Sequence, residues 1–415
     1  MANNVSKEKN SWLLPEGIDE FLPPQAERLE RLRRSLLDLY SSWGYEYVIP
    51  PMVEYLESLL VGAGTELELE TFKLIDQKSG RLLGVHADMT PQVARIDAHR
   101  LNREGPTRLC YLDAVLHTRQ DGFSRGRCPL QVGAELYGHA GIESDVEVIH
   151  LMVETLRLAG LGEIHVDLGH VGIFRALARD ANLSSAQEAM LFDALQRKAK
   201  PEIGELLADV CDDADARSML LALVDLNGGA GVLKEARAVL SGASDEVLTA
   251  IDTLQQVADF AAQRMGELSL HFDLAELRGY SYQTGIVFAA FVPGHGQEVA
   301  RGGRYDDIGS VFGRARPATG FSSDLKTLML LSDTAVSKPS AILAYPCDNS
   351  EQRVALQAFI TALREDGERV IEFLPGQQND MSGAGCERKI VEANGQWQVV
   401  EIQGKGKREK GKEKG

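Results

Sequence analysis

Between Gln25 and Trp43 the apolar residues Leu29, Leu32, Leu36, Leu39 and Trp43 recur every three or four positions, the spacing of an amphipathic helix. Pro24 stands at its first turn and Gly44 ends it. Ahead of it, Pro15, Gly17, Pro23 and Pro24 punctuate an extended arm. Residues 45–50 form a short β-rich run stopped by Pro50-Pro51. Residues 108–116 and 129–138 read as antiparallel strands around a polar, Arg-rich loop at 118–127. Ile142–Leu158 reads as a helix. At 163–168 apolar residues alternate with His165 and Asp167, the pattern of a strand.

From 174 to 265 the chain is rich in Ala and Leu and helical in period, broken at Pro201 and Gly228-Gly229. It reads as a helical insertion. Strand patterns return at 268–273 and 284–292, followed by a glycine-rich turn at 300–306 and a helix at 321–331. Composition breaks near Ser337. A strand (341–345), a helix (351–366) and a strand (369–373) then follow, with weaker strand signals at 387–393 and 398–402, as a small parallel α/β domain begins. The order argues for an α+β core at 13–173 and 266–335, the insertion at 174–265, and a truncated α/β domain at 337–403. Residues 1–12 are expected to be a disordered leader, and 404–415 a disordered basic tail.

Charge narrows the function. The 415 residues carry 44 Lys and Arg against 61 Asp and Glu, a net charge of -17. Six basic and two acidic residues sit in 404–415, so the rest is more acidic still. Such a surface repels a phosphate backbone, which argues against a nucleic-acid partner. Cys110, Cys128, Cys211, Cys347 and Cys386 form no Cys-x-x-Cys pair and no zinc-finger spacing, so reduced thiols, no metal and a cytoplasmic location are expected. No apolar run approaches the roughly 20 residues of a membrane span.

Several segments then recur in an informative order. They are Leu14-Pro15-Glu16-Gly17, residues 44–54, 85–90 with the helix after them, and 108–138. Next come Arg278-Gly279-Tyr280-Ser281-Tyr282-Gln283-Thr284-Gly285, Arg301-Gly302-Gly303-Arg304-Tyr305-Asp306 and 320–330. Together, across 13–332, they resemble the class II aminoacyl-tRNA synthetase catalytic domain, and the histidyl enzyme in particular. The resemblance implies an antiparallel sheet flanked by helices. It makes 44–54 the dimer-forming motif 1, 108–138 motif 2 and 320–330 motif 3.

The departures from that pattern are selective. His117 stands where the motif 2 arginine of an active synthetase clamps the α-phosphate of ATP. Thr327, beside Lys326, stands where the motif 3 arginine holds adenine and γ-phosphate. Neither side chain replaces a fixed guanidinium, and one such lost clamp costs roughly 2.7–4 kcal/mol of barrier. Ser281 and Gln283 replace an acid and an aromatic. The amino-acid side is kept. By resemblance, Asp88 meets the substrate ammonium, while Thr90, Gln131 and Glu135 face the amino acid. Arg278 meets its carboxylate, and Tyr282 and Tyr305 surround its imidazole.

Only a shortened domain follows Ser337, without a basic patch before the last twelve residues. This, with residues 86–95 and 279–288, is similar to the ATP phosphoribosyltransferase regulatory subunits, synthetase-like proteins that pair with a short catalytic subunit in the first step of histidine biosynthesis. That family usually has an arginine where His86 stands. The resemblance implies a non-catalytic subunit sensing histidine, a homodimer through motif 1 within a larger hetero-oligomer, and no cofactor, nucleic acid or membrane.

Taken singly, the residues admit plainer readings. Asp88 fits a helix cap before Thr90-Pro91. Glu135 fits a carboxylate bonded to a neighbouring strand. Arg278 fits a turn flank, Gly302-Gly303 a tight turn, and Arg119, Arg125 and Arg127 a solvated loop. An active histidyl-tRNA synthetase or another adenylate-forming ligase is the alternative function, and a tRNA-binding or stress-sensing pseudo-synthetase a third.

Overall fold

The computed structural model describes residues 12–61, 65–119, 126–266, 268–277, 279–280, 282–332, 341–374 and 386–402. The leader up to residue 11, Arg125, Arg278, Ser281 and the tail 404–415 lie outside them. The chain divides into two units, Met1–Thr334 and Ala335–Gly415.

The first unit begins with helix α1 (Gln25–Ser42), which buries Leu29, Leu36 and Tyr40 along one stripe. Next come β1 (Glu46–Tyr47), β2 (Val53–Tyr55), short helices α2 (Leu56–Leu59) and α3 (Thr65–Glu70), β3 (Phe72–Ile75) and β4 (Leu82–Val85). Helix α4 (Thr90–Arg95) continues as one π-helical turn, Ile96–Leu101. Strands β5 (Thr107–Ala114) and β6 (Leu130–Tyr137), helix α5 (Ile142–Leu158) and β7 (His165–His170) follow. Then run α6 (Val171–Asp180), α7 (Ser185–Gln196), α8 (Lys200–Val210), α9 (Ala214–Ala222), β8 (Asn227–Gly228), α10 (Gly231–Val239) and α11 (Asp245–Arg264). The unit closes with β9 (Ser269–Asp273), β10 (Ile286–Phe291), β11 (Ala300–Arg304), β12 (Ala318–Asp324) and α12 (Leu325–Leu331).

Nine strands make one sheet in the order β1-β5-β6-β12-β11-β10-β7-β9-β8. It is antiparallel except at β1–β5 and β7–β9. Period-two alternation gives it two unlike faces. Cys110, Leu112, Val132, Ala134, Leu136, Phe321, Ala300, Phe288 and Val166 turn into the apolar core beneath α1 and α5. The intervening positions, among them Tyr111, Gln131, Glu135, Gly320 and Gly303, turn to the other face. Strands β2-β4-β3 form a small separate sheet that the sequence pattern does not disclose, because each is only three or four residues long.

Two expectations are corrected. The glycine-rich stretch at 300–306 is not a turn but β11, paired with β10 and β12. Its glycines mark close approach. A Cβ at Gly302 would strike the Gly320 carbonyl, and one at Gly303 would strike Gln283. The helix expected at 321–331 begins only at Leu325, since Phe321–Asp324 completes β12. Asp324 caps the helix by accepting from the amides of Lys326 and Thr327.

The helices between β7 and β9 share the core of the sheet, to which Phe174, Leu191, Ile203, Leu220 and Val257 belong. In the second unit, β13 (Ala341–Ala344), α13 (Ser350–Glu365) and β14 (Val370–Glu372) precede β15 (Cys386–Ala393) and β16 (Gln396–Glu401). Strand β13 pairs in parallel with β14 and β15, and β16 is antiparallel to β15. Ile342, Leu356, Ile360, Val370 and Ile390 make its core.

Candidate functional site

Sheet register brings the site together. Glu135 of β6, Gly320 of β12 and Gly303 of β11 stand side by side across three strands. Gly320 leaves the space the Glu135 carboxylate occupies, for a Cβ there would collide with Oε2. Glu135 is 1% exposed and lies under three hydroxyls. Tyr111 donates to Oε1 at 2.9 Å and Thr90 at 3.2 Å, while Tyr305 donates to Oε2. Burial pushes its carboxyl up to about 8, against the pull of these donors. A buried carboxyl near neutrality, framed by donors, suits a ligand that exchanges a hydrogen bond there.

Asp88 lies at the start of α4. Its Oδ1 accepts from the Thr90 amide (3.0 Å) and from Gln131 Nε2 (2.7 Å). Gln131 Oε1 in turn accepts from the Met89 amide at 2.9 Å. Asp88 therefore does what a helix cap does, and it also ties the helix to β6. The structure brings Asp88, Thr90, Gln131, Glu135 and Tyr305 into one cluster. Tyr282 is 45% exposed, with its hydroxyl end folded over Gly279. Arg278 falls outside the described residues.

Sequence reasoning missed Tyr111, which alternation along β5 places opposite Gly133 and beside Glu135. It also missed the use of Gly320 and Gly303 as floor. Gln283 is 5% exposed, and its amide oxygen accepts no hydrogen bond among the described residues.

The other end of the site is spent on structure. His117 is buried, with Nε2 2.8 Å from the Ala87 carbonyl, and its backbone bridges Thr71. Thr327 is 2% exposed and donates to Asp324 Oδ2 at 2.7 Å, inside the cap of α12. Lys326 donates to the Cys128 carbonyl and lies 5.3 Å above the Phe21 ring. The cavity beside Thr327 and Lys326 measures about 30 Å³. Nearby, Arg127 donates to the His117 carbonyl and faces the Phe72 ring. Arg304, from the glycine-rich segment, is also structural. It is 8% exposed and binds Asp145 and Ser144 at 2.8 Å, pinning α5 to β11. Among the described residues no group of His, Cys, Asp and Glu could hold a metal, and no helix is long and apolar enough to cross a membrane.

Comparison with known proteins fits this geometry. The histidyl-tRNA synthetase family model matches residues 17–328, and the model of the ATP phosphoribosyltransferase subunit HisZ C-terminal domain matches 339–400. An ATP phosphoribosyltransferase regulatory subunit of Thioalkalivibrio sulfidiphilus is 58% identical, over 95% of this chain and 100% of that one. A Bacillus halodurans structure, titled ATP phosphoribosyltransferase regulatory subunit/histidyl-tRNA synthetase, superposes with a TM-score of 0.79 at 27% identity, over 90% of this chain and 96% of its own. The histidyl-tRNA synthetase of Nostoc sp. PCC 7120, at 19% identity, shares the fold with a TM-score of 0.77, over 94% of this chain and 97% of its own. With its synthetase-type core and its own kind of C-terminal domain, the chain belongs to the ATP phosphoribosyltransferase regulatory subunit family.

Proposed function

We propose that the chain is a non-catalytic regulatory subunit, acting with a short catalytic ATP phosphoribosyltransferase subunit in the first step of histidine biosynthesis and binding histidine as feedback effector. One observation carries the reading: a single site is intact at one end and dismantled at the other. Asp88, Gln131, Glu135 and Tyr305 offer carboxylate and amide acceptors for an ammonium group, with hydroxyl and amide donors beside them. At the phosphate end His117 and Thr327 are committed to backbone and cap. With His117 and Thr327 in place of the two arginines, adenylate formation lacks its main charge stabilisation.

Motif 1 supports homodimerisation. Ile49, Met52 and Val53 of this segment, with Tyr55 just after it, are exposed, an apolar surface of the kind that pairs with a second copy. Histidine would favour one state of the complex, a coupling worth roughly 1–3 kcal/mol.

Reconstitution tests the reading. Phosphoribosyl transfer should require this chain together with a short catalytic subunit, and histidine should alter it. Transfer by the catalytic subunit that is unchanged on adding this chain would overturn the reading.

A further inference from the structure

The loop carrying Tyr282 and Gln283 is gripped from two sides. On the pocket side, the Thr284 amide donates to the Arg304 carbonyl at 2.7 Å, and Gln283 is buried over Gly303. On the other side stand α6 and α7. Arg175 of α6 donates to the carbonyls of Tyr280 (2.8 Å) and Gln283 (3.2 Å), and its guanidinium lies 4.7 Å above the Tyr280 ring. That ring packs between Phe174 and Phe192, with centroids 5.6 and 5.1 Å away. The Tyr280 hydroxyl donates to Glu188 of α7. Burial, reinforced by Glu188, pushes this hydroxyl up to about 12, so it remains a donor at neutral pH. Between the grips lies one tight turn, in which the Tyr282 and Gln283 amides both donate to the Gly279 carbonyl, at 2.9 and 2.8 Å.

We propose that Tyr280, with Arg175 and Glu188, is a positioning latch: it sets the pocket loop from the helical segment, and occupancy of the pocket reaches α7 through it. The latch rests on the histidine reading and deepens it. It explains why an aromatic, an arginine and a carboxylate are spent on holding this loop from the helical side. These contacts join the pocket loop to α6 and α7 through a contiguous set of bonds, the kind of route along which coupling between sites travels.

The test is histidine titration calorimetry with hydrogen exchange, run on the full chain and on Tyr280→Ala, Tyr280→Phe and Glu188→Gln. In the unaltered chain, histidine should slow exchange both around Gln283 and in Ser185–Gln196. Tyr280→Ala should bind histidine roughly tenfold more weakly, and histidine should no longer slow exchange in α7. Tyr280→Phe keeps the ring and loses only the Glu188 bond. It should bind roughly three- to fivefold more weakly, with part of the α7 protection kept, and Glu188→Gln, whose amide oxygen still accepts from the hydroxyl, should fall between it and the unaltered chain. Should Tyr280→Ala not fold, these two variants decide on the same readouts. Binding and α7 protection unchanged in the variants would overturn the latch while leaving the histidine site standing. Absence of histidine binding in the unaltered chain would overturn both.

Discussion

The two ends of the site differ in how their polar atoms are used. At the amino-acid end the polar groups bond to one another across a glycine floor: Asp88 to Gln131, and Tyr111, Thr90 and Tyr305 to Glu135. Such a cluster can trade one internal bond for one to a ligand at little cost. At the phosphate end each group is bound to something the fold needs. His117 holds the Ala87 carbonyl, and Thr327 completes a helix cap. On the proposed reading, loss of catalysis in such a core is more than absence of arginines: His117 and Thr327 serve the fold, while the neighbouring cluster keeps bonds that a ligand could exchange.

The comparison can be broken hardest at its floor. Gly320→Ala places a Cβ where the Glu135 carboxylate lies. Calorimetry should show histidine affinity lower by roughly a hundredfold or more, since the buried network must rearrange. Asp88→Ala removes the acceptor of Gln131 and of the Thr90 amide and should weaken binding by roughly ten- to fiftyfold in the same titration.

Glu135 also gives the ready end a pH signature. Its folded carboxyl is raised from the ordinary 4.5 to about 8, so the folded chain keeps a proton that the unfolded chain gives up within that window. Stability from this group should therefore fall as pH rises from about 4.5 to about 8, then level off. Urea unfolding at stepped pH should show that slope, and Glu135→Gln should flatten it.

The smallest effect is expected at the other end. Thr327→Val loses the side-chain bond to Asp324 and should cost about 1 kcal/mol in urea unfolding. It should leave histidine affinity unchanged. A clear loss of affinity there would mean that the two ends are not separable.

Much of this was legible in the chain. The strand read at 129–138 stands as β6, where Gln131 and Glu135, brought together by the resemblance, share one face, and the helix at Ile142–Leu158 stands as its periodicity indicates. What was not legible depended on tertiary contact. Glycine reads locally as a turn, so β11 was mistaken for one. Only pairing on both sides reveals why Gly302 and Gly303 must lack side chains. Tyr111 was passed over because a tyrosine in a strand is ordinary until its partner across the sheet is known. Tyr280 sat inside a motif read for its neighbours, and its attachment to α6 and α7 joins residues about 90 to 105 positions apart.

The most direct test of the split site is histidine-dependent ATP–pyrophosphate exchange, run at histidine concentrations that saturate calorimetric binding. Saturated binding with exchange at background is the expected result. Exchange above background would contradict it, because it would require a phosphate end that still works.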